Sequence, residues 1–189
     1  IATFSREGDA LKVGSIGKPI WGVDLAIKRE DGSFADAEEV GEVVIRGHNI
    51  MKGYYNRPEA TREAIVDGWF HSGDMGKQDA DGFFYIVDRK KDLIIRGGMN
   101  IYPREIEEVL YGHPKVLEAA VIGIPDDMRG EEVKVYVSPR DGQTLDADEI
   151  KAYMQERMAK YKWPKEVEIL AELPKGPTGK ILKRELRDN

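Results

Sequence analysis

Cysteine is missing from this sequence of 189 residues. Its absence excludes a disulfide framework, thiolate catalysis and cysteine-ligated zinc. It also suits a reducing compartment, so we expect a cytoplasmic protein. No run approaches the roughly 18 apolar residues that indicate a membrane span, and the first residues lack the apolar region of a signal peptide. We therefore expect no transmembrane segment.

An excess of basic residues is absent as well. The 29 lysines and arginines are outnumbered by 35 aspartates and glutamates, which gives a formal charge of -6. Binding to nucleic acid without sequence preference needs a basic face, so we expect no nucleic acid partner. His48, His71 and His113 lie far apart in the sequence and include no pair four residues apart. We therefore expect no protein-ligated transition metal.

The composition that is present describes an ordinary globular protein, with 41% apolar and 34% charged residues. The length allows one or two domains. The sequence has no initiator methionine and opens in what reads as the middle of a domain. We interpret it as part of a longer protein.

Residues 1–88 contain mostly short β patterns. Val23–Ile27 alternates between apolar and polar residues, and Gly41–Gly47 is a short strand bounded by glycines. The pair Asp81-Gly82 predicts a hairpin turn. Only the segment after Pro58 has a helical pattern. This half is predicted to be a small, mostly β unit.

The second half mixes helix and strand patterns. Helices are predicted from Pro103 and after Asp146, where a capping box begins the apolar stripe. Ala119–Ile124 is a continuous apolar strand, Val133–Val137 alternates, and Val167–Leu170 is a short strand. These patterns predict a compact α+β module of about 100 residues, within the usual size of a domain.

The stretch Asp88–Pro103 reads DRKKDLIIRGGMNIYP and joins the two halves. It combines a charged pivot, a short buried strand at the apolar run Leu93–Ile95 and a glycine pair. Paired glycines allow positive φ angles and let a substrate chain pass close to the backbone. Pro103 fits the first turn of a helix, because its missing N–H would have no partner there. Such a stretch suits a point where one domain ends and the next approaches a ligand.

Four stretches together resemble the adenylate-forming superfamily of acyl-CoA synthetases, luciferases and peptide-synthetase adenylation domains. They are GWFHSGD at 68–74, the stretch 88–103, YKWPK at 161–165 and PKGPTGKI at 174–181. Each is modest evidence by itself, but their order and spacing match the family over nearly the whole chain. The segment MKGYYNRP at 51–58 and the run RGGMNIYPREIEEVL look most like long-chain fatty acid–CoA ligases.

The resemblance implies an α+β fold in two parts. Residues 1–90 would be the β-rich end of a large AMP-binding domain, and residues 91–189 a compact, mobile lid domain. It also implies two half-reactions, in which a small carboxylic acid reacts with ATP to give an acyl-adenylate and the thiol of coenzyme A (CoA) then displaces AMP. The family's phosphate loop and its Mg2+ ligand lie upstream of these motifs. We therefore expect the 189 residues alone to be inactive.

Asp74 and Arg89 are the implied nucleotide-binding residues. A carboxylate can accept hydrogen bonds from both ribose hydroxyls, and a guanidinium suits ribose and phosphate oxygens. Without the resemblance, Asp74 would be an aspartate completing its own turn and Arg89 part of a solvated charge run. Ser72 departs mildly from the family, in which threonine is more common.

Lys91 matches the hinge position of the family, where a change in backbone dihedrals absorbs domain rotation. Gly97 and Gly98 match the loop that lines the channel for the pantetheine arm of CoA. From the sequence alone, a glycine pair that only forms a tight turn is equally consistent.

Lys180 matches the catalytic lysine of the family. Its ammonium group could bridge the substrate carboxylate and the α-phosphate as charge moves during attack. The alternative is one more exposed lysine on a tail. A Walker phosphate loop does not fit, because the spacing to an earlier glycine is wrong and Ile181 stands where serine or threonine is required.

Three functional hypotheses follow. The first is a ligase that joins fatty acids to CoA. The second is an aryl or coumarate-type CoA ligase, or a luciferase-like relative. The third is a noncatalytic interaction module that shares the fold. The oligomeric state has no signal in the sequence.

Overall fold

The computed structural model describes residues 1–5 and 12–187 and divides the chain into two compact units. The first unit comprises Ile1–Lys91, and the second begins at Asp92. The division falls within a 3-10 turn at Lys90–Asp92, one residue beyond the predicted boundary. Strands dominate and the helices are short, so the predicted α+β class is confirmed.

The first unit is mostly β, as predicted. Within the described residues its elements are β1 (Thr3–Phe4), β2 (Lys18–Pro19), β3 (Val23–Lys28), β4 (Gly41–Gly47), α1 (Pro58–Ala64), β5 (Ile65–Val66), β6 (Trp69–Gln78) and β7 (Phe84–Arg89). The main sheet has the order β3-β4-β6-β5, and β7 also pairs with β6. Strand β6 is therefore the centre of this unit.

Alternation along the strands places the core of the first unit. Val23 and Ile27 of β3 are buried while Asp24 between them is exposed. Ile27 packs with Val43 and Phe84 in a small apolar cluster. The predicted hairpin turn between β6 and β7 is confirmed, since residues 79–83 connect the two antiparallel strands.

The second unit has a mixed sheet covered on both faces. Its elements are β8 (Ile94–Arg96), β9 (Met99–Ile101), α2 (Pro103–Tyr111), β10 (Val116–Asp126), β11 (Gly130–Pro139), α3 (Ala147–Gln155), a 3-10 turn (Lys160–Lys162), β12 (Glu166–Ile169) and α4 (Lys183–Arg187). The sheet order is β10-β11-β8-β9, and β12 runs parallel to β11.

Burial on both faces explains the continuous apolar run in β10. Val121 packs with Ile106 and Leu110 of helix α2 and with helix α3 on one face of the sheet. Ala120 and Ile122 point to the opposite face and pack with residues of the C-terminal tail. Successive side chains of a strand point to opposite faces, so a strand covered on both sides needs apolar residues at every position.

The local predictions for this unit are largely confirmed. Helix α2 begins at Pro103 as expected. Asp146 caps α3 by accepting from the Asp148 N–H, and Glu149 accepts from the Asp146 N–H, which completes the capping box. The predicted buried strand Leu93–Ile95 is wrong in its bounds and in part of its burial. The strand runs from Ile94 to Arg96, and Ile95 is 48% exposed.

Candidate functional site

Asp74 and Arg89 lie opposite each other on neighbouring strands. Asp74 of β6 is in register with Arg89 at the end of β7, and Arg89 Nε is 3.2 Å from Asp74 Oδ1. The side chains of Asp74 and Arg89 are 33% and 62% exposed. An ionised carboxylate has about four acceptor positions and a guanidinium five donors. Each group can therefore hold the other and still bind a ligand.

The turn before Asp74 is fixed by the hydroxyl of Ser72. This hydroxyl donates to the Val43 carbonyl at 2.7 Å and accepts from the Asp74 N–H at 3.1 Å. Gly73 between them has a φ of 72°, a conformation that glycine adopts without strain. Threonine carries the same hydroxyl, which explains why the departure at Ser72 is mild.

Glu42 on β4 also holds this turn, and it was not among the site residues predicted from the sequence. Its Oε2 accepts from His71 Nδ1 and from Lys90 Nζ, each at 2.9 Å, and its Oε1 accepts from the Gly73 N–H at 3.2 Å. Burial would raise the pKa of Glu42, but the hydrogen bonds from His71 and Lys90 outweigh it and lower this pKa. His71 of β6 therefore bonds to the neighbouring strand β4.

A signal for Glu42 does exist in the sequence. The residue lies in Gly41–Gly47 beside Val43 and Val44, and all three are buried. An acidic residue in a strand that is buried on both faces needs partners, because an unpaired buried charge is costly. The sequence pattern does not reveal which partners those are.

A small depression opens beside this turn. It has a volume of about 390 Å3 and is lined by Ser72, Gly73, Arg89, Lys90 and Lys91. Three of these five residues have cationic side chains, so the depression suits an anionic or polar group.

Lys91 lies between two anchored residues. The preceding Lys90 is bonded to Glu42 within the first unit, and the following Asp92 accepts from Arg187 at 2.8 Å within the second. Lys91 itself is exposed. Both sequence neighbours of Lys91 are therefore held by side-chain contacts, one within each unit, and Lys91 is the residue that links them.

Gly97 and Gly98 form the two-residue turn of the β8–β9 hairpin, where Arg96 pairs with Met99. Their φ values of 57° and 80° are both positive, as a type I′ turn requires. A Cβ atom added to either glycine would meet no atom within 4 Å. The turn conformation, and not crowding within this unit, therefore accounts for the glycines.

A groove of about 780 Å3 runs beside this turn. Its lining includes Gly97, Met99, Arg129, Lys160 and Trp163. The groove combines cationic groups with an indole and a thioether, so it suits a ligand that has both anionic and apolar parts.

Arg96 connects the glycine turn to the motif at 161–165. Its guanidinium donates to the carbonyls of Tyr161 and Trp163 at 2.7 and 3.1 Å, and it forms an ion pair of 2.7 Å with the buried Glu132. The Gly97 N–H donates to the Arg129 carbonyl at 2.8 Å. Sequence reasoning noticed both motifs but not the arginine that joins them.

Lys180 lies on a loop whose backbone is fixed. The Lys180 carbonyl accepts from the Gly176 N–H at 2.9 Å, and the Leu182 N–H donates to the Pro174 carbonyl at 2.8 Å. The Lys180 side chain is exposed, and we find no hydrogen-bonding or ionic partner for it among residues 1–5 and 12–187. Its ammonium group is therefore available to a ligand.

The residues around Lys180 are held firmly to the second unit. Lys175 forms a 2.9 Å ion pair with Glu118, and Lys183 forms a 2.8 Å ion pair with Glu107. Leu186 of α4 is buried, and its carbonyl accepts from the Tyr136 hydroxyl. Lys180 differs in this respect from the lysines on either side of it, Lys175 and Lys183, which are both paired.

Two further observations concern ligands and membranes. Across the described part of the chain, we find no group of three histidine, aspartate or glutamate side chains placed to hold a metal ion. None of the helices in those residues is long and apolar enough to span a membrane.

Comparisons with known proteins agree with this architecture. Residues 105–180 match the AMP-binding enzyme C-terminal domain, and residues 1–55 match the AMP-binding enzyme family. The chain is 49% identical over 187 residues to a feruloyl-CoA synthase of Amycolatopsis sp, covering 99% of this chain and 38% of the relative. It is 51% identical over 176 residues to a long-chain-fatty-acid–CoA ligase of Bacillus subtilis, covering 93% of this chain and 31% of the relative.

A solved structure gives the same result. ATP-bound MatB from Rhodopseudomonas palustris matches with a TM-score of 0.92 and 35% identity, over 99% of this chain and 38% of that chain. The two-unit α+β fold and these sequence matches are those of the family of adenylate-forming enzymes. The chain belongs to the AMP-binding enzyme family, and it spans about a third of the length of the relatives it matches.

Proposed function

We propose that the protein containing this chain is an ATP-dependent acid–thiol ligase. In the first step, an oxygen of the substrate carboxylate attacks the α-phosphorus of ATP, and the bond to pyrophosphate breaks. In the second, the thiol sulfur of CoA attacks the acyl carbon and AMP leaves. Related CoA ligases at 49–51% identity support this reaction class.

The single observation that carries the proposal is the unpaired Lys180 ammonium group on a fixed loop. In this proposal Lys180 bridges the carboxylate and the α-phosphate, where it stabilises the negative charge that is shared in the transition state. A lysine tied to an internal carboxylate would have to break that ion pair first. Lys180 has no such pair to break among the described residues.

The first unit supplies the nucleotide contacts of the proposal. Asp74 accepts from the ribose hydroxyls, and Arg89 donates to ribose and phosphate oxygens. Both groups are accessible, and the cationic depression beside them is compatible with phosphate. The Mg2+ that accompanies ATP would be held by residues upstream of this chain, as the resemblance to the family implies.

The second unit serves both half-reactions by alternation. Lys91 is the proposed hinge, because the residues on either side of it are bonded into different units. The turn at Gly97 and Gly98 is the proposed wall of the pantetheine channel. Its open surroundings leave room for a ligand, and the adjoining groove suits a molecule with phosphates and an apolar arm.

The acid substrate is proposed to be a fatty acid. The motifs at 51–58 and 96–110 favour this assignment, and a long-chain-fatty-acid–CoA ligase is 51% identical. An aryl acid is the second candidate, because a feruloyl-CoA synthase is 49% identical over more of the chain. The acyl pocket of the family lies upstream of the motifs seen here.

A direct test uses the full-length protein that contains this chain. ATP–pyrophosphate exchange and CoA-dependent AMP formation would be measured with fatty acids of graded length and with hydroxycinnamic acids. We expect exchange with one of the two acid classes and none from the isolated 189 residues. Exchange with no acid of either class would favour the noncatalytic module. Turnover by the isolated 189 residues would contradict the expectation that the phosphate loop and the Mg2+ ligand lie upstream of them.

A further inference from the structure

Glu42 is a buried carboxylate to which the proposed chemistry gives no role. The residue is only 8% exposed, and it lies on β4 beside the central strand β6. Removing a carboxylate from water costs several kcal/mol unless hydrogen bonds compensate for it. Glu42 has three such bonds, from His71, Gly73 and Lys90.

The three donors lie on both sides of the proposed nucleotide contacts. His71 and Gly73 lie three residues and one residue before Asp74 on β6, and Lys90 immediately follows Arg89 at the end of β7. A single carboxylate therefore fastens both strands at the point where they present these two side chains. Exposed ion pairs elsewhere in the sheet, such as Asp24 with Arg46, join only two side chains.

We propose that Glu42 is a positioning residue for the nucleotide. It fixes the turn at 71–74 and the end of β7, and it thereby aims the Asp74 carboxylate and the Arg89 guanidinium at the ribose. The inference rests on the proposed function, because the ribose contacts belong to that proposal. Glu42 itself touches no substrate.

Ionisation of Glu42 is consistent with this role. Burial alone would favour the neutral acid, but hydrogen bonds from His71 and Lys90 leave the pKa below its ordinary value. An ionised carboxylate accepts hydrogen bonds at both oxygens. In the neutral acid, one oxygen carries a proton and acts as a donor.

The test is Glu42→Gln in the full-length protein. Glutamine has nearly the same shape, but one end of its amide is a donor. The amide NH2 group must face either the Gly73 N–H or the donors of His71 and Lys90. In either case, one hydrogen bond of Glu42 is replaced by two donor groups that face each other. The loss of one hydrogen bond to a charged group corresponds to about a tenfold change.

We expect Glu42→Gln to raise the KM for ATP about tenfold in pyrophosphate exchange, with a smaller change in kcat at saturating ATP. Glu42→Asp keeps two acceptor oxygens and should recover part of the affinity. Amide hydrogen exchange over residues 71–74 should become faster in Glu42→Gln than in the wild type.

Asp24→Asn is the matched control. It also removes a carboxylate from a strand of the same sheet, but that carboxylate is exposed and pairs with Arg46, which belongs neither to the turn at 71–74 nor to β7. We expect the KM for ATP and the exchange at 71–74 to remain at wild-type values.

The outcomes separate the two proposals. A wild type that catalyses exchange, together with a Glu42→Gln variant of unchanged KM, would overturn the role of Glu42 alone. A variant with lower kcat and lower Tm but unchanged KM would show that Glu42 only supports the fold. A wild type with no exchange would remove the proposed function and, with it, the nucleotide role of Glu42.

Discussion

The two units present the charged groups of their candidate residues in opposite ways. Asp74 and Arg89 in the first unit are paired with each other, and the turn before Asp74 is held by Ser72 and Glu42. Lys180 in the second unit has a fixed backbone but no partner for its side chain among the described residues.

This difference matches two different tasks. A group that binds the nucleotide throughout the reaction benefits from a fixed orientation, because less freedom is lost on binding. A group that is needed in one half-reaction only must be free to enter and leave. The proposed ligase needs both, and the predictions below test whether the two regions divide the work in this way.

The largest effect is expected for Lys180→Ala. Loss of a group that stabilises the transition state costs about 10²–10³ in rate, so adenylate formation by the full-length protein should fall by this amount. Thioester formation from preformed acyl-adenylate should be largely retained. The two half-reactions would be measured separately, by pyrophosphate exchange and by CoA-dependent AMP release.

Lys175→Ala is the control for the Lys180 loop. It removes the ion pairs of Lys175 with Glu118 and Glu172 but leaves the Lys180 ammonium group in place. We expect a small effect on adenylate formation. Wild-type pyrophosphate exchange in Lys180→Ala would show that the unpaired lysine is only a surface charge.

A somewhat smaller effect is expected for Asp74→Ala. Its carboxylate is proposed to accept charged hydrogen bonds from ribose, so affinity for ATP should fall roughly 10- to 100-fold, with less change in kcat. Titration of the full-length protein with nucleotide would measure this. Equal affinity in the variant and the wild type would mean that Asp74 merely completes its turn.

Gly98→Trp tests the glycine turn and should act on the opposite half-reaction. A bulky side chain would enter the open space beside the turn, and we expect thioester formation to fall several-fold while adenylate formation is retained. Gly142→Trp is the control, since Gly142 also has a positive φ of 71° and no atom within 4 Å of an added Cβ. An equal loss in both half-reactions would point to strain in the backbone instead.

The smallest effect concerns acid stability and compares the two units directly. His113 is buried against Tyr153, and its Nδ1 accepts from the Lys115 N–H. Burial lowers the pKa of His113 below 6.5, although the nearby Glu149 opposes this. The unfolded chain therefore takes up a proton first, and the second unit should lose stability as the pH falls below 6.5. The lowered pKa of Glu42 in the first unit gives a pH dependence of the same sign in a lower pH range, since its contribution to stability is kept until the pH falls below 4.5.

Chemical unfolding at pH 7 and at pH 5.5 would measure this difference. Trp163 reports on the second unit, while Trp21 and Trp69 lie in the first. We expect the Trp163 transition to move to lower denaturant concentration at pH 5.5, and His113→Asn to reduce that movement. The effect is limited to about 1.4 kcal/mol for each unit of difference in pKa. A transition of Trp163 that does not depend on pH would contradict the assignment.

Much of the fold was predictable from local pattern. The helix at Pro103, the capping box at Asp146 and the hairpin at Asp81-Gly82 each depend on residues close together in the chain, so their physical causes are visible in the sequence. The strand at 93–95 was placed one residue too early. Its three apolar residues do not reveal that Ile95 points to solvent, because this depends on what covers each face of the sheet.

The candidate residues were found through the order and spacing of four motifs, and their roles remain proposals. The structure added the partners. Glu42 lies 31 residues before Gly73 and 48 before Lys90, and Arg96 reaches the carbonyls of Tyr161 and Trp163 across 65 and 67 residues. Nothing in the neighbouring sequence of these residues indicates such contacts.

The sequence by itself determined the strand and helix content, the family and the identity of the charged candidates, because each depends on residue type and short-range spacing. Only the tertiary structure decided which charges are satisfied. Pairing depends on the register of strands that are distant in the chain, and this register joins Asp74 to Arg89 and places Glu42 beneath them. Within the second unit, backbone hydrogen bonds between residues 174–182 fix the loop that leaves Lys180 exposed.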